Sequence, residues 1–265
     1  MEELTELTDI EAVVAGEGHV AWAAQRHRGC GLGAGVQAWR CGGAVAVASP
    51  GVSGRDRIAV AGDSRDAVRL IRRVLEAVGP AYRPFGDALL IARLAEQIPS
   101  LSMVDEFYWA ETRSPTGVCQ DGVRWLDESL EREAALLFDR CFPRSYARPG
   151  MKDGAARWAG VADGTGLLAV AADAWSGTGC GFVAGVVAAP EVRGRGLARA
   201  VCGFVVTELV RQYGRAALIV DADNLPAVAM YKRIGMAKRL FRAAYVTLCD
   251  GTSYGLNGGP DAREP

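Results

Sequence analysis

Residues Ala188 to Val201 read A-A-P-E-V-R-G-R-G-L-A-R-A-V: an apolar run stops at a proline, three arginines and two glycines follow, and a helical pattern begins. Three arrangements call for such residues: a basic patch for nucleic acid, a dinucleotide-binding turn, or a loop that holds a phosphate at a helix start. A dinucleotide turn needs G-x-G-x-x-G on a parallel unit, with an acidic residue closing the second strand. Here Gly194-x-Gly196-x-x-Arg199 lacks the third glycine. A nucleic-acid patch needs more basic residues with aromatics between them, whereas Glu191, Asp221 and Asp223 lie nearby in sequence. The phosphate loop fits the spacing. The first backbone N–H groups of a helix have no intrahelical acceptor and its start is electropositive, so an anion binds there. Glycines let the backbone approach, and Arg193, Arg195 or Arg199 would add charge-assisted hydrogen bonds.

The whole chain makes this charge a local matter. Its 265 residues carry 30 Lys and Arg against 31 Asp and Glu, so no overall field gathers it onto nucleic acid or an anionic membrane. Half the residues are hydrophobic, yet no apolar run approaches the ~20 residues needed to span a bilayer. The start, MEELTELTDIEAVV, is acidic where a signal peptide would be basic. The expectation is a cytoplasmic protein of one large or two ordinary domains. Seven cysteines, at 30, 41, 119, 141, 180, 202 and 249, are odd in number and show no C-x-x-C spacing, which argues against a disulfide framework or a zinc site. The two histidines, His19 and His27, show no metal-ligand pattern and read as core or helix-surface residues. No metal is expected, and the histidine-free C-terminal half is a poor place for a Ser-His-Asp or Cys-His arrangement.

Periodicity orders the C-terminal half. Leu130–Cys141 is a helix, and Ala156–Ala162, Leu167–Ala174 and Gly181–Ala189 are strands, the first two joined in a hairpin at Asp163-Gly164-Thr165-Gly166. The third is apolar on both faces, as a central strand covered from both sides should be. Leu197, Val201, Phe204, Val205 and Leu209 form the stripe of a helix ending at Tyr213-Gly214. Ala216–Val220 is a buried strand, Leu225–Ile234 a second helix capped from Asp221-Ala222-Asp223-Asn224, and Arg239–Phe241 and Ala243–Cys249 are closing strands. The N-terminal half repeats the order faintly: strands at Gln37–Ser49 and Arg57–Ala61, a helix at Ser64–Val78, a helix at Asp87–Ile98 and a strand at Met103–Glu111. The glycine-rich run Gly29–Gly35 precedes a strand and reads as a mobile loop, as does the tail from Gly251.

With these elements placed, Arg193-x-x-Gly196-x-Ala198 after the strand Gly185-Val186-Val187-Ala188 resembles the acetyl-coenzyme A signature of the GNAT acetyltransferase superfamily. Asn224-x-x-Ala227-x-x-x-Tyr231-x-x-x-Gly235-Met236 resembles that family's segment after its fifth strand. The likeness covers roughly Leu130 to Cys249 and implies an α/β fold with a mixed sheet. The repeated element order suggests two tandem GNAT-like domains: a degenerate one over 1–118, a catalytic one over 119–250, and the tail 251–265. The resemblance implies that backbone groups of Val186, Val187 and Ala188 pair with the pantetheine arm, and that one of their N–H groups steadies the oxyanion. It implies that Gly194, Arg195, Gly196, Leu197, Ala198 and Arg199, with Arg193, hold the pyrophosphate. Asn224 would contact the cofactor arm, and Tyr231 would protonate the departing thiolate. Outside the motif Tyr231 would read as a core aromatic and Asn224 as an ordinary helix cap.

No general base is assigned, because Gly181–Ala189 and Ala216–Val220 contain no carboxylate. In the N-terminal half, Gly62-Asp63-Ser64-Arg65-Asp66 would set two aspartates where a diphosphate should lie, so one acetyl-coenzyme A site per chain is expected. The sequence thus points to an acetyl-coenzyme A-dependent N-acetyltransferase acting by direct attack of a primary amine. A non-catalytic acyl-coenzyme A sensor or scaffold is the alternative, and a longer acyl donor or a GNAT-like decarboxylation a third reading. Expected partners are a small-molecule or peptide amine, with no nucleic acid or membrane, and with homodimerisation left open.

Overall fold

The computed structural model describes residues 1–25, 31–104, 106–118, 122–150, 155–164, 166–177 and 179–247. The tail 251–265, His27, Gly29, Cys30, Cys119, Thr165 and Cys249 lie outside them.

The chain opens with β1 (Glu2–Leu4), α1 (Leu7–Val13), α2 (Gly18–Ala23), β2 (Gln37–Cys41), β3 (Ala44–Ser49) and β4 (Arg57–Gly62). It continues through α3 (Ser64–Val78), β5 (Arg83–Asp87), α4 (Ala88–Gln97), β6 (Leu101–Met103) and β7 (Phe107–Thr112). Then come β8 (Arg124–Trp125), α5 (Glu128–Cys141), β9 (Ala155–Asp163), β10 (Gly166–Ala174) and β11 (Gly181–Ala188). A 3-10 turn at Pro190–Val192 leads to α6 (Leu197–Tyr213), β12 (Ala216–Asp221), α7 (Leu225–Arg233) and β13 (Ala237–Val246). The structure corrects the sequence reading in three places. Gln37–Ser49 is a hairpin turning at Gly42-Gly43, the Met103–Glu111 strand is two strands, and the two closing strands are one.

The chain divides into two compact units, and the division does not follow a single cut near residue 118. Among the described residues, the first unit holds Met1–Trp109 and the stretch from Arg239 through β13, with a short piece around Gly177 and Gly179; the second holds Ala110–Ser176 and Cys180–Lys238. The last strand, β13, therefore belongs with the N-terminal half. Its Phe241, Arg242 and Ala243 pair antiparallel with Asp87, Gly86 and Phe85 of β5, and its Ala244–Val246 pair with β6. Both halves of the sequence offer strands with the same apolar alternation, so periodicity cannot tell which strands the final one pairs with.

In the first unit, β1, β2, β3 and β4 run antiparallel, and β4 pairs parallel with β5. Alternate residues of β3 (Ala44, Ala46, Ala48) pack under α3 and α4 with Leu70, Ile71, Ile91 and Leu94. A separate aromatic group gathers Trp22, Phe85, Trp109 and Phe241 around His19, which is 1% exposed. His19 reads as a core histidine in the structure too: its Nε2 lies 3.1 Å from the Val60 carbonyl oxygen.

In the second unit the order is β12-β11-β10-β9-β8, with β11 and β12 parallel and the others antiparallel. A Cβ on Gly181 would touch Leu209 and Tyr213 of α6, whereas one on Gly185 would touch Trp158, whose ring packs against Phe138 of α5. The two helices thus cover opposite faces of β11, as its apolar composition requires. Of the α6 stripe read from sequence, Leu197, Val201, Val205 and Leu209 are buried, while Phe204 is half-buried with its ring 5.3 Å from Trp125.

Candidate functional site

The predicted phosphate loop lies in the second unit, between β11 and α6. After the 3-10 turn, Gly194 and Gly196 both adopt left-handed backbone, φ 79° and φ 83°. Side chains other than glycine avoid this region. A Cβ on Gly194 would meet nothing within 4 Å, and one on Gly196 would meet only the Arg199 guanidinium, at 3.8 Å. The space over the turn is therefore open, with Arg199 reaching over it. Gly196 is the N-cap of α6, and no side chain caps that helix. The first intrahelical bond is Ala200 N–H to the Gly196 carbonyl, so the N–H groups of Leu197, Ala198 and Arg199 precede the ladder and point out of it. The Arg195 N–H is spent inside the loop, donating to the Val192 carbonyl at 3.3 Å, and the Arg193 N–H donates to Pro190. The side chains of Arg193, Arg195 and Arg199 are exposed.

Such an open start is selective. Among the described residues, every other helix of nine or more residues carries a side-chain N-cap: Asp63 on α3, Asp87 on α4, Asp127 on α5 and Asn224 on α7.

Next to the loop, β11 and β12 form only two ladder pairs, Gly181 with Ala216 and Phe182 with Ala217, and then part. On its other edge β11 stays paired with β10 through Val187 and Ala188, but the register slips by one between Ala184 and Val187. Gly185, at φ 59°, occupies this bulge. A bulge re-aims the residues after it. Here those are Val186 and Ala188, half-buried, and Val187, buried. The bulge was missed in sequence, although an isolated glycine in a strand pattern is its ordinary signal.

Tyr231 is the buried residue of α7, 8% exposed. It lines a cavity of about 220 Å3 with Ala110, Val220, Val228 and Met236, and with Lys232 and Lys238. Asn224 serves as the N-cap of α7, its Oδ1 accepting the Ala227 N–H at 3.2 Å. The structure thus brings the loop, the parted strands and Tyr231 into one unit, and spends the amide oxygen of Asn224 on capping.

Carboxylates are scarce here. Asp221, half-buried, is the one acidic residue in β11 and β12. Glu191 pairs with Arg140 at 3.4 Å on the surface, and Glu111, at the end of β7, lies 3.6 Å from the buried Arg215. Asp173 of β10, 1% exposed, accepts from Arg157 Nε at 3.2 Å and from the Ser176 hydroxyl. Burial raises its pKa above the usual carboxylate range, against the pull of Ser176 and Arg157. Among the described residues no group of three or more His, Cys, Asp or Glu could hold a metal ion, and no helix is long and apolar enough to cross a membrane.

The family model for the acetyltransferase (GNAT) family matches residues 104–236, half of the chain, and the chain belongs to that family. Two solved structures share its fold. A GCN5-related N-acetyltransferase from Kribbella flavida is 18% identical, with a TM-score of 0.56 over 89% of this chain and 95% of that one. A Drosophila protein is 13% identical, with a TM-score of 0.58 over 90% of this chain and 86% of that one. No curated protein matches the chain.

Proposed function

We propose that the second unit is an acetyl-coenzyme A-dependent N-acetyltransferase with one cosubstrate site per chain. The observation that carries this reading is the uncapped α6 start, open above Gly194 and Gly196, directly after a strand whose partner has parted from it. In it the N–H groups of Leu197, Ala198 and Arg199, with that of Gly196, receive the diphosphate, and Arg199 neutralises part of its charge. Backbone groups of Val186–Ala188 hold the pantetheine and thioester. Acetyl-coenzyme A supplies an acyl carbon activated by a thiolate leaving group. The amine lone pair forms the N–C bond while the C–S pair departs with sulfur; Tyr231 gives that sulfur a proton, the amine loses one to solvent, and solvent returns one to Tyr231. Lys232 and Lys238 at the Tyr231 cavity favour the anionic sulfur over the neutral thioester. The first unit is, in this reading, a degenerate GNAT-like domain without a cosubstrate site of its own. The acceptor is a small-molecule or peptide amine.

The test is turnover of acetyl-coenzyme A with a panel of primary amines, following thiol release, for the wild type and Tyr231→Phe. Turnover cut about 100-fold or more by the substitution, with coenzyme A affinity held within about twofold, supports the role of the tyrosine; equal turnover removes it. The sparse carboxylates of β11 and β12 favour a second reading, a sensor that binds acyl-coenzyme A without transfer. Tight binding with no turnover across the panel would select it.

A further inference from the structure

We infer that Trp158 limits the acyl group at this site to acetyl; the inference rests on the acyl-transfer reading above. The β11 bulge turns Gly185 toward the face covered by α5. There an added Cβ would lie 2.6 Å from Cη2 of Trp158 and 2.7 Å from the carbonyl oxygen of Ala147, so the indole and this carbonyl together abut the strand. Both are held firmly. Trp158 is 3% exposed, its ring set edge-on to Phe138 at 5.3 Å, and Phe138 is itself fully buried. The Trp158 carbonyl accepts the Leu126 N–H at 2.8 Å. The Ser145 hydroxyl donates to the Ala147 carbonyl and accepts the Ala147 N–H, each at 3.2 Å.

The residues proposed to hold the thioester, Val186–Ala188, begin one position after this obstruction. A methyl group adds little beyond the carbonyl it is bonded to, whereas a longer chain turned to the α5 face would have to displace a packed indole. Interiors at crystal-like density yield poorly to such insertion. Gly185 keeps the strand close to the indole, and Trp158 sets how much room remains.

Isothermal titration of the full chain with coenzyme A, acetyl-, butyryl- and hexanoyl-coenzyme A tests this, in the wild type and in Trp158→Leu. The expected wild-type result is acetyl-coenzyme A binding close to coenzyme A, with butyryl- and hexanoyl-coenzyme A weaker by about tenfold or more. In Trp158→Leu the longer thioesters should approach the affinity of acetyl-coenzyme A while that of coenzyme A stays put, a selective change that general loosening would not produce. Wild-type protein that binds all acyl lengths alike overturns the inference with no variant needed, and so does a variant that melts cooperatively and keeps the wild-type discrimination. Wild-type protein that binds no coenzyme A at all overturns the acyl-transfer reading as well, so the two failures are told apart.

Discussion

Two helices in this chain each follow the inner strand of a parallel pair, and they begin in opposite ways. In α3, Asp63 is the N-cap, and its carboxylate accepts the N–H groups of Arg65 and Asp66 at 3.0 and 3.1 Å. Asp66 then accepts the Gly43 N–H at 2.9 Å and pairs with Arg69; the Gly43 bond first, and Arg69 after it, hold its carboxyl below the ordinary range. In α6 the same position is Gly196 in left-handed backbone, with no cap. The orphan N–H groups of a helix start need an anion or water in either case. The first unit provides the anion from its own chain, and the second provides none. In the proposed reading, one side chain at the N-cap separates a structural helix start from a binding one.

The largest expected effect breaks the comparison by closing the open start. Gly196→Asp sets a carboxylate at the proposed diphosphate position and should weaken coenzyme A binding by about 100-fold or more, equivalent to about 3 kcal/mol, in isothermal titration. A side chain at φ 83° costs about 1 kcal/mol of backbone strain, but the new Cβ meets only the movable Arg199 guanidinium, so the fold should survive. Undiminished binding would remove the loop from the site. Wild-type protein should show one coenzyme A site per chain; two would mean that Asp63 does not close α3.

Gly185→Ala comes next, at the bulge that re-aims Val186–Ala188. Its Cβ would sit under 3 Å from Trp158 and from the Ala147 carbonyl on a backbone with φ 59°, so chemical denaturation should show a loss of roughly 2–3 kcal/mol. A loss below half of that would mean the bulge relaxes freely and does not set the strand.

Carboxylates of the first unit should show their worth in acid. Glu17 is bound by both Nη atoms of Arg239 and lies 3.3 Å from His19 Nδ1. Burial by itself would raise its pKa, but His19 and Arg239 lower it from 4.5 to about 2. A carboxyl whose folded value is depressed adds stability above its unfolded value and loses it as the pH falls toward the folded one. Glu17→Gln should therefore cost roughly 2 kcal/mol at pH 7, after allowance for partial exposure, and progressively less between about pH 4.5 and 2. An unchanged acid limb in urea titrations would show that the cluster contributes nothing.

The smallest effect lies at the closed start itself. Asp63→Ala should cost about 1 kcal/mol, the usual worth of an N-cap, read as a lower urea midpoint at constant slope. A neutral result would mean that water or Asp66 satisfies the same N–H groups.

Much of this was legible in sequence because it depends on neighbours along the chain. Gly194 and Gly196 after Pro190 mark the α6 start, and the Ser64–Val78 periodicity gives α3 its observed bounds; Asp63 before it was read as a charge against a diphosphate, and the structure makes it the cap. Asn224 and Tyr231 fall on α7, at its N-cap and buried on it, where the spacing puts them. Local hydrogen bonding and the period of apolar residues are written in the order of the amino acids, and so the sequence by itself determined the fold class, the loop and the helix that carries the tyrosine. It did not determine which strands β13 pairs with, the slip at Gly185, the approach of Trp158 to that slip, or the burial of Asp173 against Arg157. Each of these depends on side chains far apart in sequence meeting at a particular register, and only close packing in the tertiary structure fixes that register.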